Sequence, residues 1–478
     1  MSQIINKYKS MSVTRRSLLW LTFAQILQRA ISFITVPLFT RLLSTAEYGT
    51  VNVYMSWESI AFYVVTLAIS YGGFNNGMVK YPGDKEGYTS SVVGLIILMG
   101  GIWFGICLFV APDLEQLTGL APAIIFLMLL QVIMQALYDV WTVRRKFDFD
   151  YRKVVAVSVL YVALTPTLGV IFVLTFADKV FGRILSFVIA TAAVGLVGFV
   201  AVMKHSHKLV CLKYWKFTLL FNIPLLPHYL SQVILSSADR IIISAICSAS
   251  DAGIYSIAYS AGMILTVFVS ALTSTLTPWV YRRLGEKRYK DINRVTFMMS
   301  GMLAVLIFML DALAPEIVAI LAPSEYMSAA NLIPVVAAAN FFIFMYSACA
   351  NVEFYYLKNK FAMIASLIAA LLNIGLNLLL IPRLGYQVAG YTTLACYILL
   401  GWGHFLFAQR TGKQRSGTQI FNTRAFFMIS IAVVTCSVVF ALLYDLPFVR
   451  YAIVVAVIVV VIYRRDELTS YYHKLKKN

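Results

Sequence analysis

Apolar residues run along this chain in long stretches, broken by short polar connections. Runs of about 17–25 residues, the length that crosses ~30 Å of hydrocarbon, recur about fourteen times. They fall at 17–43, 48–72, 89–111, 121–143, 153–176, 181–203, 217–246, 253–278, 295–320, 329–354, 361–382, 388–409, 424–444 and 447–463. Each predicts a helix, because a backbone surrounded by lipid must satisfy its own N–H and C=O groups. The pattern therefore predicts an all-α polytopic membrane protein. No connection exceeds about 20 residues, so the spans themselves must carry the function.

The spans repeat. At an offset of 204 residues, Gln28 and Ser32 fall on Gln232 and Ser236, and "STAEYGTVNVYMS" falls on "SASDAGIYSIAYS". This aligns Ser44 with Ser248, Glu47 with Asp251, Gly49 with Gly253 and Ser56 with Ser260. A second match, four residues out of register, sets "KVFG" (Lys179–Gly182) on "QVAG" (Gln387–Gly390). The matched positions are mostly polar residues and glycines, which apolar composition alone does not align. We read two six-helix lobes, 1–203 and 204–410, related by a pseudo-two-fold axis along the membrane normal. A further helix pair and basic tail follow at 411–478, and a central site is expected between the lobes.

Composition agrees. Of 478 residues 60% are hydrophobic and 13% charged, and the mean hydropathy is +0.81, far from the ~45–50% apolar and ~25% charged usage of soluble domains. The net charge of +18 sits in alternate connections, among them Lys7, Lys9, Arg15 and Arg16, then Arg144, Arg145 and Lys146, then Arg282, Arg283, Lys287 and Arg288, and finally Arg464 and Arg465. Such asymmetry reports topology: both termini are expected in the cytoplasm, with no nucleic-acid partner. The first basic-then-apolar stretch has no small-residue cleavage site before Arg41 and reads as an uncleaved span. The six cysteines lack CxxC spacing and read as apolar fillers.

Polar residues inside the spans carry the candidate chemistry. In the seventh, His228, Gln232, Ser236, Asp239 and Arg240 fall near spacings of three and four, hence on one helical face. In the first, Gln25, Gln28, Arg29 and Ser32 do the same. Arg29 lies ~19 Å beyond Arg16 at ~1.5 Å per residue, too deep to snorkel easily. An arginine at the bilayer centre costs from ~3 to more than ~10 kcal/mol, so each needs water, a partner or a ligand. Guanidinium forks suit phosphate oxygens, which makes Arg29 and Arg240 candidates for an anionic substrate. Asp239 and Arg240 could instead neutralise other helices in a static network.

Glu58, Asp239 and Asp311 are candidate ion-coupling acids; Asp139 and Glu353 lie near basic ends and are expected at the interface. His228 and His404 are expected to pack. Pro166 in the fifth span, and Pro224 and Pro227 in the seventh, should kink or break their helices. Asn373 and Asn377 share a face of the eleventh span and read as interhelical glue. No GxxxxGK[ST] or HExxH is present, and "DFD" (Asp148–Asp150) sits among Arg145, Lys146 and Arg152, which neutralise it. No cofactor, metal or catalytic residue is expected.

"RLLSTAEYGTVNVYMSW" (Arg41–Trp57), "DRIIISAICSASDAGIYSIAYSAGM" (Asp239–Met263) and "GYQVAGYTTLACY" (Gly385–Tyr397) resemble the polysaccharide-unit flippases of the Wzx (O-antigen translocase) type, in the multidrug/oligosaccharidyl-lipid/polysaccharide exporter superfamily. The resemblance spans the chain. It implies a MATE-like fold, a cationic cavity and alternating access that carries an undecaprenyl-diphosphate-linked oligosaccharide across the bacterial inner membrane, from cytoplasmic to periplasmic leaflet. It also implies ion coupling, a role in lipopolysaccharide or related polysaccharide biosynthesis, work beside the polymerase and chain-length machinery, and no enzymatic step. Two alternatives stay open: a multidrug or cation antiporter of the same superfamily, whose cavity should be acidic or aromatic, and an integral-membrane polymerase or ligase, which should carry a sizeable periplasmic loop.

Overall fold

A computed structural model of the chain describes residues 12–463. The basic residues Lys7, Lys9, Arg464 and Arg465 and the remainder of the expected C-terminal tail lie outside the described residues. In chain order the first helices are α1 (Val13–Leu42), α2 (Thr45–Thr66), α3 (Gly72–Lys80), α4 (Lys85–Thr118), α5 (Pro122–Phe147), α6 (Tyr151–Thr175), α7 (Lys179–Met203) and α8 (Leu212–Asn222). There follow α9 (Leu226–Ile246), α10 (Ala249–Gly285), α11 (Tyr289–Ala312), α12 (Ala314–Leu321), α13 (Ile333–Tyr355), α14 (Asn359–Leu384), α15 (Val388–Ser416), α16 (Thr423–Leu442) and α17 (Pro447–Tyr463). Among the described residues, 12 helical stretches are long and apolar enough to cross a membrane. The second and fourteenth predicted runs are filled by α2, whose polar Glu47, Asn52 and Glu58 lower its hydropathy, and by α17, of 17 residues. The protein is an all-α, multi-pass membrane protein, as the pattern predicted.

Several spans are interrupted where the sequence breaks helical hydrogen bonding. A 3₁₀ turn, Ile223–Leu225, separates α8 from α9 at Pro224 and Pro227, as expected. The predicted second run ends early, because Leu67 and Ala68 take positive φ and the chain restarts as α3. The ninth run divides into α11 and α12 just before Pro315, and a 3₁₀ stretch, Ser324–Leu332, leads into α13 ahead of Pro334. Pro166 behaves otherwise: α6 continues through it. Beside it the Thr165 and Thr167 hydroxyls donate to the carbonyls of Tyr161 and Ala163, and Arg183 donates to the Thr165 carbonyl at 3.2 Å.

By its contacts the chain forms two compact units, Met1–Ser256 with Met363–Ala389, and Ile257–Ala362 with Gly390–Asn478. In the first, α5 and α7 pack most closely, with α6 and α4 on their flanks and α2 against both α5 and α9. The second is built on α13, buried nearly all round and packed on α11 and α16, as an apolar helix without a polar face should be. Its far edge is a core of Ala312, Phe440 and Val454 with Phe308, whose ring meets Phe440 edge-on at 4.7 Å.

The aligned residues of the repeat prove to be the same device twice. Ser44 caps α2: the Glu47 backbone N–H donates to its hydroxyl at 3.3 Å, and the Glu47 carboxylate accepts from the Ser44 N–H at 2.7 Å. Ser248 receives the Asp251 N–H at 3.0 Å and donates its hydroxyl to the Asp251 carboxylate at 2.6 Å. The aligned glycines meet where the starts of α2 and α10 cross. A Cβ on Gly49 would lie 1.7 Å from the Ala249 carbonyl oxygen, and one on Gly253 2.5 Å from that of Thr45. Only glycine permits this approach.

Candidate functional site

The seventh-span stripe is carried by α9, and the structure divides it. Consecutive helical residues diverge by about 100°, so Asp239 and Arg240 cannot share a direction. Asp239, 1% exposed, accepts from the Tyr255 hydroxyl of α10 at 2.5 Å and from the Asn377 amide of α14 at 2.7 Å. Asn377 also reaches Asn373 at 3.4 Å. Seven residues back, on the same face, the Gln232 amide donates to Ser366 of α14 at 3.0 Å. Of the expected glue residues, Asn377 thus binds a carboxylate and Asn373 sits against Asn377, so that α14 is a partner of this face. The other edge of the stripe is open: Ser236 is exposed and Arg240 half-buried, with one guanidinium nitrogen donating to the Ser236 carbonyl at 3.1 Å. His228 is half-buried beside Tyr229, the ring centroids 5.9 Å apart.

The first-span stripe lies on α1. Gln25, Gln28 and Ser32 are exposed and Arg29 half-buried, while Ser32 turns its hydroxyl back to the Gln28 carbonyl at 2.9 Å. Helix α1 packs on α6. Val36, Phe39 and Thr40, all in its second half, are buried there, and the first half keeps an accessible polar edge.

The candidate acids go to three different places. Glu58 of α2 is half-buried within electrostatic reach of Asp139 of α5 and of Tyr54 and Tyr161. Asp139, expected at the interface, shares this polar interior and accepts from the Gln135 amide at 2.9 Å, while Tyr54 donates to Gln131 at 2.8 Å. Asp311 is fully buried beneath the last two helices, where Ser437 donates to one carboxylate oxygen at 2.6 Å. Glu353, also expected at the interface, is instead fully buried against His404 of α15, 2.9 Å away. Sequence reasoning missed this pair, because Lys358 and Lys360 nearby masked the depth of Glu353. It also missed Tyr255 and Ser366, which only the fold brings to α9. The "DFD" carboxylates are neutralised, but in part by cations other than the three expected: Asp148 is met by Arg144, and Asp150 by Arg145, which was expected, and by Lys153. Among the described residues no three His, Cys, Asp or Glu side chains gather as a metal site.

Outside the spans, Asp84 joins the start of α4 to the connection before α8. The Tyr214 hydroxyl at 2.6 Å, with Lys208 at 3.1 Å, holds its carboxyl below the usual range.

The family described as polysaccharide biosynthesis protein matches residues 14–283, and the MatE family matches 224–379. Lsg locus putative protein 1 of Haemophilus influenzae is 25% identical over 297 residues, covering 58% of this chain and 68% of that protein. Among solved structures, a lipid II flippase MurJ in an inward closed conformation superposes with a TM-score of 0.70 at 15% identity, over 94% of this chain and 100% of the other. An inward-facing multidrug resistance MATE family transporter of the MOP superfamily superposes at 0.60 and 13% identity, over 81% and 99%. The fold is of this MurJ and MATE type.

Proposed function

Since the chain belongs to the polysaccharide biosynthesis protein family, we propose that it is a transporter that moves a lipid-linked oligosaccharide across its membrane. The substrate is an undecaprenyl-diphosphate-linked repeat unit, carried from the cytoplasmic to the periplasmic leaflet of the inner membrane by alternating access between two six-helix lobes. Both termini lie in the cytoplasm.

The observation that carries this reading is the pair of half-buried arginines, Arg29 and Arg240, on the accessible edges of two spans whose sequences repeat. A guanidinium within a membrane span is costly unless water, a protein group or an anion meets it, and a diphosphate supplies oxygens at the fork spacing. Gln25, Gln28, Gln232 and His228 extend both edges with groups suited to sugar hydroxyls. Asp239, buried and held by Tyr255 and Asn377, is the carboxylate whose neutralisation by a cation or proton would couple to the cycle, with Glu58 and Asp311 as further candidates. A drug-cation exporter would instead present acid, yet here Asp239, Asp311 and Glu353 are buried and Glu58 and Asp139 are half-buried beside one another. A polymerase or ligase would need a long periplasmic loop, and the described connections are short.

Arg29→Gln and Arg240→Gln are each expected to lower surface polysaccharide at least ~tenfold when they replace the native gene, with Arg240→Lys retaining part of it. Full export by both glutamine variants, at native protein levels, would contradict the assignment.

A further inference from the structure

The pair Glu353–His404 lies outside every polar edge used above. Glu353 stands near the end of α13 and His404 in the second half of α15, and neither side chain has any exposed surface. One carboxylate oxygen, Oε1, meets Nδ1 of the imidazole at 2.9 Å. The other two polar atoms, Glu353 Oε2 and His404 Nε2, are buried without a hydrogen-bond partner. The ring lies between Tyr346 and Phe361, with centroids at 5.2 and 5.3 Å, and Phe361 stacks on Phe407 at 3.9 Å. Two orphaned polar atoms in a buried site are costly, so the pair is a poor way to stabilise a helix contact. An apolar pair would serve better.

Charge decides what such a pair can do. With neutral imidazole and ionised carboxylate it carries −1; one further proton brings it to zero; a second makes it +1. A site closed off from water favours the neutral pair, and the −1 state must find water to persist. Among the described residues neither side chain forms a further ion pair, and Lys358, whose backbone N–H donates to the Glu353 carbonyl, is itself exposed. On the helices packed against α13 and α15, Asp291 is tied to Arg288, Asp311 takes the Ser437 hydroxyl, and Arg294, Arg410 and Arg424 are exposed. Glu325, in the 3₁₀ stretch before α13, is exposed as well. Cys349, one turn back on α13, is the other ionisable group within electrostatic reach of Glu353.

We propose that Glu353 and His404 form a proton-binding site inside the second unit, which holds one proton while α13 and α15 are closed around it and releases it when they part. The proton comes from water and returns to it; the Nδ1–Oε1 hydrogen bond is kept, the charge of the pair passes between −1 and zero, and no other bond changes. As a part of the transport cycle the site rests on the export reading above. Its binding of a proton does not.

The test uses the full chain in lipid nanodiscs without any lipid-linked glycan. Proton uptake after a jump from about pH 8.5 to about pH 6 is read with a pH-indicator dye. Glu353→Gln and His404→Gln are each expected to take up about one proton fewer per chain than the native protein, and the double variant no fewer than either single one, because the pair titrates as a unit. Unchanged uptake in both single variants, or losses that simply add in the double variant, would overturn the proposal. Should the variants not elute as folded, monodisperse protein, the native chain answers alone. Dicyclohexylcarbodiimide, which modifies protonated carboxyls in apolar surroundings, should label Glu353 faster at pH 6 than at pH 8.5, and labelling independent of pH would overturn the proposal equally. Neither readout involves export, so the two readings fail separately.

Discussion

At the scale of single residues, the tightest constraint in the chain is the crossing of Gly49 and Gly253. A methyl group on Gly49 would be driven into the Ala249 carbonyl, which is backbone and cannot rotate away. Gly49→Ala is therefore expected to cost about 1–3 kcal/mol, a drop of several degrees in Tm in detergent, and Gly253→Ala a similar amount. The double variant should lose less than the sum, since one opening relieves both clashes. Additive losses, or unchanged Tm values, would show that the crossing is not rigid. These glycines were visible in the sequence as aligned positions, although their mutual contact was not. The same holds for Asp239 and Arg240. Their depth and cost could be read from the run around them, but which one would be buried could not, because periodicity places both on one broad stripe. Tyr255, from the next helix, and Asn377, from a helix distant in sequence, hold Asp239 inward.

At the scale of helices, hydropathy located every span, and proline located the break between α8 and α9. The break after Thr66 escaped the pattern, since Leu67 and Ala68, the residues of positive φ, have no sequence signature of a turn. The end of α11 escaped it because α12 is apolar too. The last helices are held by a polar clamp of a kind that hydropathy cannot reveal. Arg450, 2% exposed, donates to the Ala312 carbonyl at 2.5 Å and to both oxygens of Glu316 at 2.8 and 3.0 Å, and Tyr451 adds a hydroxyl at 2.6 Å. Arg450→Met leaves that carbonyl and part of the carboxylate unmet, at about 1–3 kcal/mol. It is expected to expose the 443–446 connection to limited proteolysis, while Glu316→Gln, which still accepts, has a smaller effect. Equal resistance in Arg450→Met and the native chain would mean that apolar packing alone holds α17.

At the scale of the whole molecule, the match to the polysaccharide biosynthesis protein family and the number of apolar helical stretches support the transport reading. Half-buried Arg29 and Arg240 support the proposed anionic cargo. The residues that would choose among glycans were not legible, because sugars are read by neutral hydroxyls, amides and rings that are common in any membrane interior. The central claim is nonetheless open to a direct test, through the leaflet in which the lipid-linked oligosaccharide resides. In cells lacking the gene, complete units are expected to accumulate out of reach of a sugar-specific probe applied to the periplasmic side. The native gene should restore their accessibility, and the Arg240→Gln variant should not. Units that reach the periplasmic leaflet without the gene, yet remain unpolymerised, would contradict the account and place the protein after translocation.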